Sequence, residues 1–157
     1  MLIEQEIASI MRFLLGAAGN PHPYYYSVPE KFTTPAVYFP SPEITTGGET
    51  FRTYRMEFAW FITFHESTTE AAYALAHKAL SAVMRSRMLV PLIAEDGSTA
   101  GGYVRITSTS IKPVDTGVCQ LYITFVSRRP YDAAEAEAAH NFVLNMFPKS
   151  GVAETSP

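Results

Sequence analysis

The sequence predicts an α+β domain: a mostly antiparallel sheet with a long central strand and a β-hairpin, and helices packed on it. Three observations predict this. Residues 50–65 alternate apolar and polar side chains over an unusual length. Two later runs flank Val114-Asp115-Thr116-Gly117, a stretch with turn chemistry, and so pair as a hairpin. Helical periodicity recurs at the start, middle and end of the chain without alternating strictly with strands, which disfavours a doubly wound parallel sheet.

The first helix spans residues 2–15. Ile3, Ile7, Ile10 and Leu14 fall on one stripe with Met11 at its edge, and Gly16 and Gly19-Asn20-Pro21 stop it. Tyr24 to Val28 reads as a short aromatic strand. Pro35 to Pro40 reads as a second, whose flanking prolines favour an edge or a strand terminus. Ser41 to Gly48 reads as a turn-rich connection. In the long strand, Met56, Phe58, Trp60, Ile62 and Phe64 form an apolar face that must be covered. Ordinary strands run about 5–6 residues, so the leading part, Phe51 to Arg55, is expected to project beyond the core.

Ser67-Thr68-Thr69-Glu70 has the form of a capping box and opens a second helix to about Ser86, with Ala72, Leu75, Ala76, Ala79 and Val83 as its stripe. Met88 to Ile93 is a short apolar strand, and Glu95 to Ser98 a turn. Tyr103–Pro113 and Val118–Arg129 form the hairpin, with Cys119, Leu121, Ile123 and Phe125 on its apolar face. Asp132 to Glu135 opens a third helix, to about Phe147.

A chain of 157 residues is the size of one domain and can bury an adequate core without metal or disulfide staples. A single domain over 1–148 is expected, followed by a flexible tail at 149–157. Charged residues make up 17% of the chain, against the usual quarter or so (about 25%). A surface short of charge suits cover by another subunit. The net charge of −3 gives no global attraction to nucleic acid or an anionic membrane, and no apolar run reaches the length of a spanning helix. The N-terminus has no basic n-region and no small-residue cleavage site, so a non-secreted, intracellular protein without a membrane segment is expected.

No catalytic signature stands out. His65-Glu66 lacks the second histidine of a zinc-protease helix, because residue 69 is Thr. His77 and His140 border helical stripes and read as partly packed structural residues. Gly47-Gly48 and Gly101-Gly102 lack the lysine and strand-to-helix setting of a phosphate loop. Cys119, the one cysteine, falls on an apolar face and reads as an inert thiol. Catalytic residues, metal and cofactors are all expected to be absent. The basic residues read differently. Arg52 and Arg55 interleave with Phe51 and Tyr54, Lys112 lies near the hairpin tip, and Arg128 ends the last strand. These six are the candidate protein-contact residues, since aromatics and Arg are enriched at interfaces. The bland alternative is a solvated strand end.

The succession of helix, Tyr24-Tyr25-Tyr26, Pro35-Ala36-Val37-Tyr38-Phe39, Gly47-Gly48, Phe51-Arg52-Thr53-Tyr54-Arg55-Met56-Glu57-Phe58, Ala-rich helix and basic-ended hairpin resembles the tail terminator (tail completion) proteins of tailed bacteriophages over residues 2–130. The closing helix is longer than that family requires. The resemblance implies a structural virion protein: a homo-oligomer, a hexameric ring at the head-proximal end of the tail tube. Such a ring ends tube polymerisation and joins the tail to the neck. It implies as partners the tail tube protein and a neck or head-completion protein, with no membrane and no sequence-specific nucleic acid. It also implies assembly in the host cytoplasm into the virion. A neck or head–tail joining adaptor shares the same physics. A small-ligand-binding α+β module is the reading from a different class.

Overall fold

The structure is a computed structural model that describes residues 3–131. The expected third helix at 132–147, with His140, and the tail at 149–157 lie outside the described residues. The described chain is α+β, with two helices and a seven-stranded sheet that is antiparallel apart from one edge pair.

The order is α1 (Ile3–Ala17), β1 (His22–Tyr25), β2 (Ala36–Phe39), β3 (Glu43–Gly48), β4 (Thr53–His65), α2 (Thr69–Arg85), β5 (Leu89–Ile93), β6 (Thr99–Asp115) and β7 (Val118–Pro130). Across the sheet the strands run β1-β2-β4-β7-β6-β5, and β3 pairs with β4. The expected hairpin is β6–β7, its register running from Ile106 opposite Phe125 to Asp115 opposite Val118.

The chain divides into two compact units. The first holds Met1–Ile44 with Glu57–Val126, the second Thr45–Met56 with Ser127–Pro157. In the first, α1 packs on β5, α2 on β6, and the helices touch each other. The stripe of α2 is buried residue for residue as its spacing predicts: Ala72, Leu75, Ala76, Ala79 and Val83. Phe58, Trp60, Ile62 and Phe64 of β4 and Cys119, Leu121, Ile123 and Phe125 of β7 are buried on one face. Each strand shows its period of two in the burial itself. Met56 is only half-buried, so the fully covered stretch begins at Phe58. Trp60 stacks at an angle on Phe39, centroids 5.8 Å apart, and donates its indole N–H to the Pro40 carbonyl at 2.6 Å. A buried indole needs such an acceptor.

The structure corrects four expectations. Residues 43–48 form a strand, β3, instead of a turn-rich link; all six are exposed, so no apolar alternation marks them. β1 lies at 22–25, two residues earlier than expected. The α2 cap is Thr68, not Ser67: Thr68 has extended backbone and its Oγ1 accepts from the Ala71 amide at 3.1 Å. Ser67 instead donates its amide to Glu66 Oε1, which leaves it outside the cap. β4 begins at Thr53, so Phe51 and Arg52 sit in the bend before the strand.

Candidate assembly interface

The second unit contains five of the six candidate contact residues: Phe51, Arg52, Tyr54, Arg55 and Arg128. Thr50 builds the β3–β4 turn that presents them. Its hydroxyl accepts from the amides of Arg52 at 3.1 Å and Thr53 at 2.9 Å and shares a hydrogen bond with Thr53 Oγ1. A threonine that satisfies two turn amides stabilises a bend without needing glycine. Phe51, at the turn, is 59% exposed, and Arg52 and Arg55 are exposed.

Tyr131 donates its amide to the Arg52 carbonyl at 2.9 Å, and its ring lies 5.4 Å from that of Tyr54. Arg128 donates through Nε to both carboxylate oxygens of Glu49, each at 3.0 Å. Arg129 donates to Ser127 Oγ at 2.9 Å. The described part of this unit holds four arginines (52, 55, 128 and 129) against one glutamate, a formal charge of +3. Glu49 and Tyr131 escaped the sequence reading; each gains its place from a partner distant in the chain.

Lys112 belongs to the first unit. It lines a shallow hollow of about 250 Å³ with Phe61, Ser110, Gln120 and Tyr122, on the face of the sheet turned away from the core. There Phe61 and Tyr122 lie 5.0 Å apart, and Phe61 stays 39% exposed. The apolar turn of the odd face of β4 at Phe61 is the one sequence signal for this patch. Further along the same face, Thr63 Oγ1 and His65 Nε2 share a hydrogen bond of 2.9 Å, and Phe32 sets its edge against the His65 ring at 5.2 Å. Burial pushes the His65 pKa below its usual value, because the charged imidazolium loses solvent.

The outer edges of the sheet in this unit are blunted. On β5, Pro91 has no amide proton, Ile93 N–H is taken by Ser9 Oγ at 3.0 Å, and the Ile93 carbonyl accepts from Gln5 Nε2 at 2.9 Å. On β1, Pro23 offers no donor and the Tyr25 carbonyl accepts from the Ser27 amide at 2.8 Å. Edges closed in this way resist pairing with another chain. Joining of a neighbour's strand to β1 or β5 is therefore a poor route to assembly.

No constellation for chemistry emerges among the described residues. Among the described residues no group of three or more His, Cys, Asp or Glu converges to hold a metal. Cys119 is buried, and that burial pushes its thiol pKa up, away from the reactive thiolate. His77 is exposed, contrary to the partly packed position expected, with Ser81 Oγ 3.4 Å from its Nδ1. Asp96 has its carboxyl held below the usual range by hydrogen bonds from the Ser98 hydroxyl and amide, as in an ordinary turn.

No protein-family profile matches the chain. It is 25% identical over 143 residues to the phage-like element PBSX protein XkdJ of Bacillus subtilis (strain 168), an alignment covering 91% of this chain and 97% of the relative. It is 24% identical over 153 residues to the uncharacterized protein YqbJ of the same strain, covering 96% and 99%. Among solved structures, a chain from the virion of a native gene transfer agent particle superposes with a TM-score of 0.49 at 16% identity, covering 79% of this chain and 93% of that one. The chain is thus similar, nearly end to end, to a protein of a phage-like element.

Proposed function

We propose that this chain is a structural protein of a phage-type virion and, within it, the tail terminator. In this reading it forms a ring, hexameric by the resemblance, on the head-proximal end of the tail tube. The ring halts tube polymerisation and presents a surface to the neck or head-completion protein. The observation that carries the reading is the similarity to the PBSX protein, which spans nearly the whole of both chains. A likeness of that extent concerns the entire subunit and not a shared module.

The physics agrees. The chain is short of charge, the arginine–aromatic turn is exposed, and aromatic side chains occupy the uncovered face of the sheet. These are the residue types that interfaces favour. A scaffold role requires no catalytic centre, and no cofactor enters the proposal. The subunit would be made in the host cytoplasm and end in the virion.

The test is the mass of the purified chain in solution, negative-stain images, and its effect on tube growth from the cognate tube protein. A ring with a central hole that stops tubes from lengthening is the expected result. A compact monomer that leaves tube length unchanged overturns the proposal.

A further inference from the structure

We propose that neighbouring subunits join by strand addition: the open edge of β3 in one copy pairs, antiparallel, with the open run of β6, residues 107–111, in the next. This rests on the ring reading above and names the contact through which that ring closes.

Two stretches of strand lack a partner on one side among the described residues. β3 pairs with β4 and with no other strand. β5 pairs with β6 only over residues 99–105, and the Ile106 amide donates to the Met88 carbonyl at 2.7 Å. Beyond that point β6 continues to Asp115 with β7 on one side and no strand on the other.

These edges are bare where the others are defended. β1 and β5 are closed by Pro23, Pro91 and the side chains of Ser9 and Gln5. Residues 44–48 and 107–111 contain no proline and no charged side chain, the devices that most often keep an exposed edge from pairing. All of β3 is exposed, as are Thr107, Ser108 and Ser110. An uncharged, proline-free edge in water is a template for one more strand. Within the β6 run, Thr109 has a buried Oγ1 with no hydrogen-bond partner among the described residues. A threonine on an added strand, such as Thr45 or Thr46 of β3, supplies one by the usual cross-strand pairing of hydroxyls.

A second copy is the occupant that these observations favour. A ring requires a heterologous contact, in which each subunit offers two different surfaces. One chain here carries both halves, each five residues or about 16 Å long. Their direction also suits. β3 turns back on β4 through Thr50, and β7 on β6 through Gly117. β4 and β7 are antiparallel too: Glu66 bonds to Gly117 at one end and Arg52 to Tyr131 at the other. β3 and β6 therefore run in opposite senses. A copy that continues the sheet presents its β6 antiparallel to β3, and antiparallel pairing is the slightly stronger kind.

The experiment is amide-resolved hydrogen exchange on the full-length parent above and below its association concentration, alone and with tube protein. Alternate amides in 44–48 and in 107–111 should exchange about tenfold more slowly or better on assembly, because only pairing protects an exposed edge. Neighbouring residues of a strand turn their amides to opposite sides, so one of Thr45 and Thr46 faces the open edge. Thr45→Pro and Thr46→Pro are made separately. The one that keeps the parental melting curve has lost an outward amide, and it should associate about tenfold more weakly or worse by sedimentation velocity.

Unchanged exchange in either run on assembly overturns the inference and leaves the ring reading intact. Parental assembly by the proline variant with the parental melting curve does the same. So does protection of β3 that arises only with tube protein, which would give the edge to that partner. If both proline variants melt early, exchange in the parent decides alone. A parent that never exceeds a monomer, alone or with tube protein, overturns both.

Discussion

The ring of Phe58 on β4 lies on that of Phe125 on β7, centroids 4.5 Å apart and planes 2° from parallel. Both side chains are fully buried. Parallel planes at that separation describe an offset stack, the arrangement that the ring quadrupoles prefer. The pair joins two neighbouring strands of the sheet. Phe125→Ala should cost about 3–5 kcal/mol, from lost burial and the cavity left beneath Phe58. Chemical denaturation measures it. A cost no larger than that of a surface change would mean that the pair is not a core contact.

Gly117 has φ +72°, and a Cβ there would lie 2.5 Å from the Glu66 carbonyl oxygen. That oxygen is main chain and cannot swing aside. Gly117→Ala should therefore destabilise by about 1–3 kcal/mol or more, combining left-handed strain with a clash. The hairpin end should open first. Hydrogen exchange at the Gly117 and Glu66 amides would speed up ahead of the rest of the fold, and unchanged exchange there would refute this account.

The position of the helix cap separates two closely spaced hydroxyls. Thr68→Ala removes the acceptor for the Ala71 amide and should cost about 1 kcal/mol. Ser67→Ala removes no cap and should stay within about 0.5 kcal/mol. Equal melting losses for the two would place the cap at Ser67 after all.

The His65 pKa is lowered in the folded chain by burial, from a usual value near 6.5. The unfolded chain therefore takes up the proton first as pH falls. Stability is fully present above the unfolded value and declines as pH drops below about 6.5 toward the folded value. His65→Gln should remove that component. Melting temperatures of parent and variant, compared at pH 7.5 and 5, should converge on acidification. A constant difference across that range would show that His65 does not titrate with folding.

Arg128 and Glu49 form a two-pronged contact, yet their side chains are 61% and 29% exposed. Solvent screens such a pair, so a double-mutant cycle on stability should return about 0.2–1 kcal/mol. A coupling several times larger would mean that this pair fastens the second unit and does more than set its surface charge.

How much of this was legible in the sequence depends on which force shapes each element. Burial leaves a periodic trace. The α2 stripe and the inward faces of β4 and β7 could be read position by position, because one face of each must leave water. β3 leaves no such trace: Glu43-Ile44-Thr45-Thr46-Gly47-Gly48 is exposed throughout and owes its strand form to backbone pairing with β4. The cap shifted by one residue because serine and threonine are near-equivalent acceptors, and only backbone geometry selects between Ser67 and Thr68. The candidate interface was half legible. Phe51, Arg52, Tyr54 and Arg55 are contiguous and visibly unusual, and Lys112 and Arg128 could be named from strand position alone. Glu49 and Arg128, by contrast, are 79 positions apart. Their pairing, like the gathering of four arginines into one unit, exists only after the strands have found their register. Sequence order determines which side chains alternate. Long-range backbone pairing decides which distant charges become neighbours.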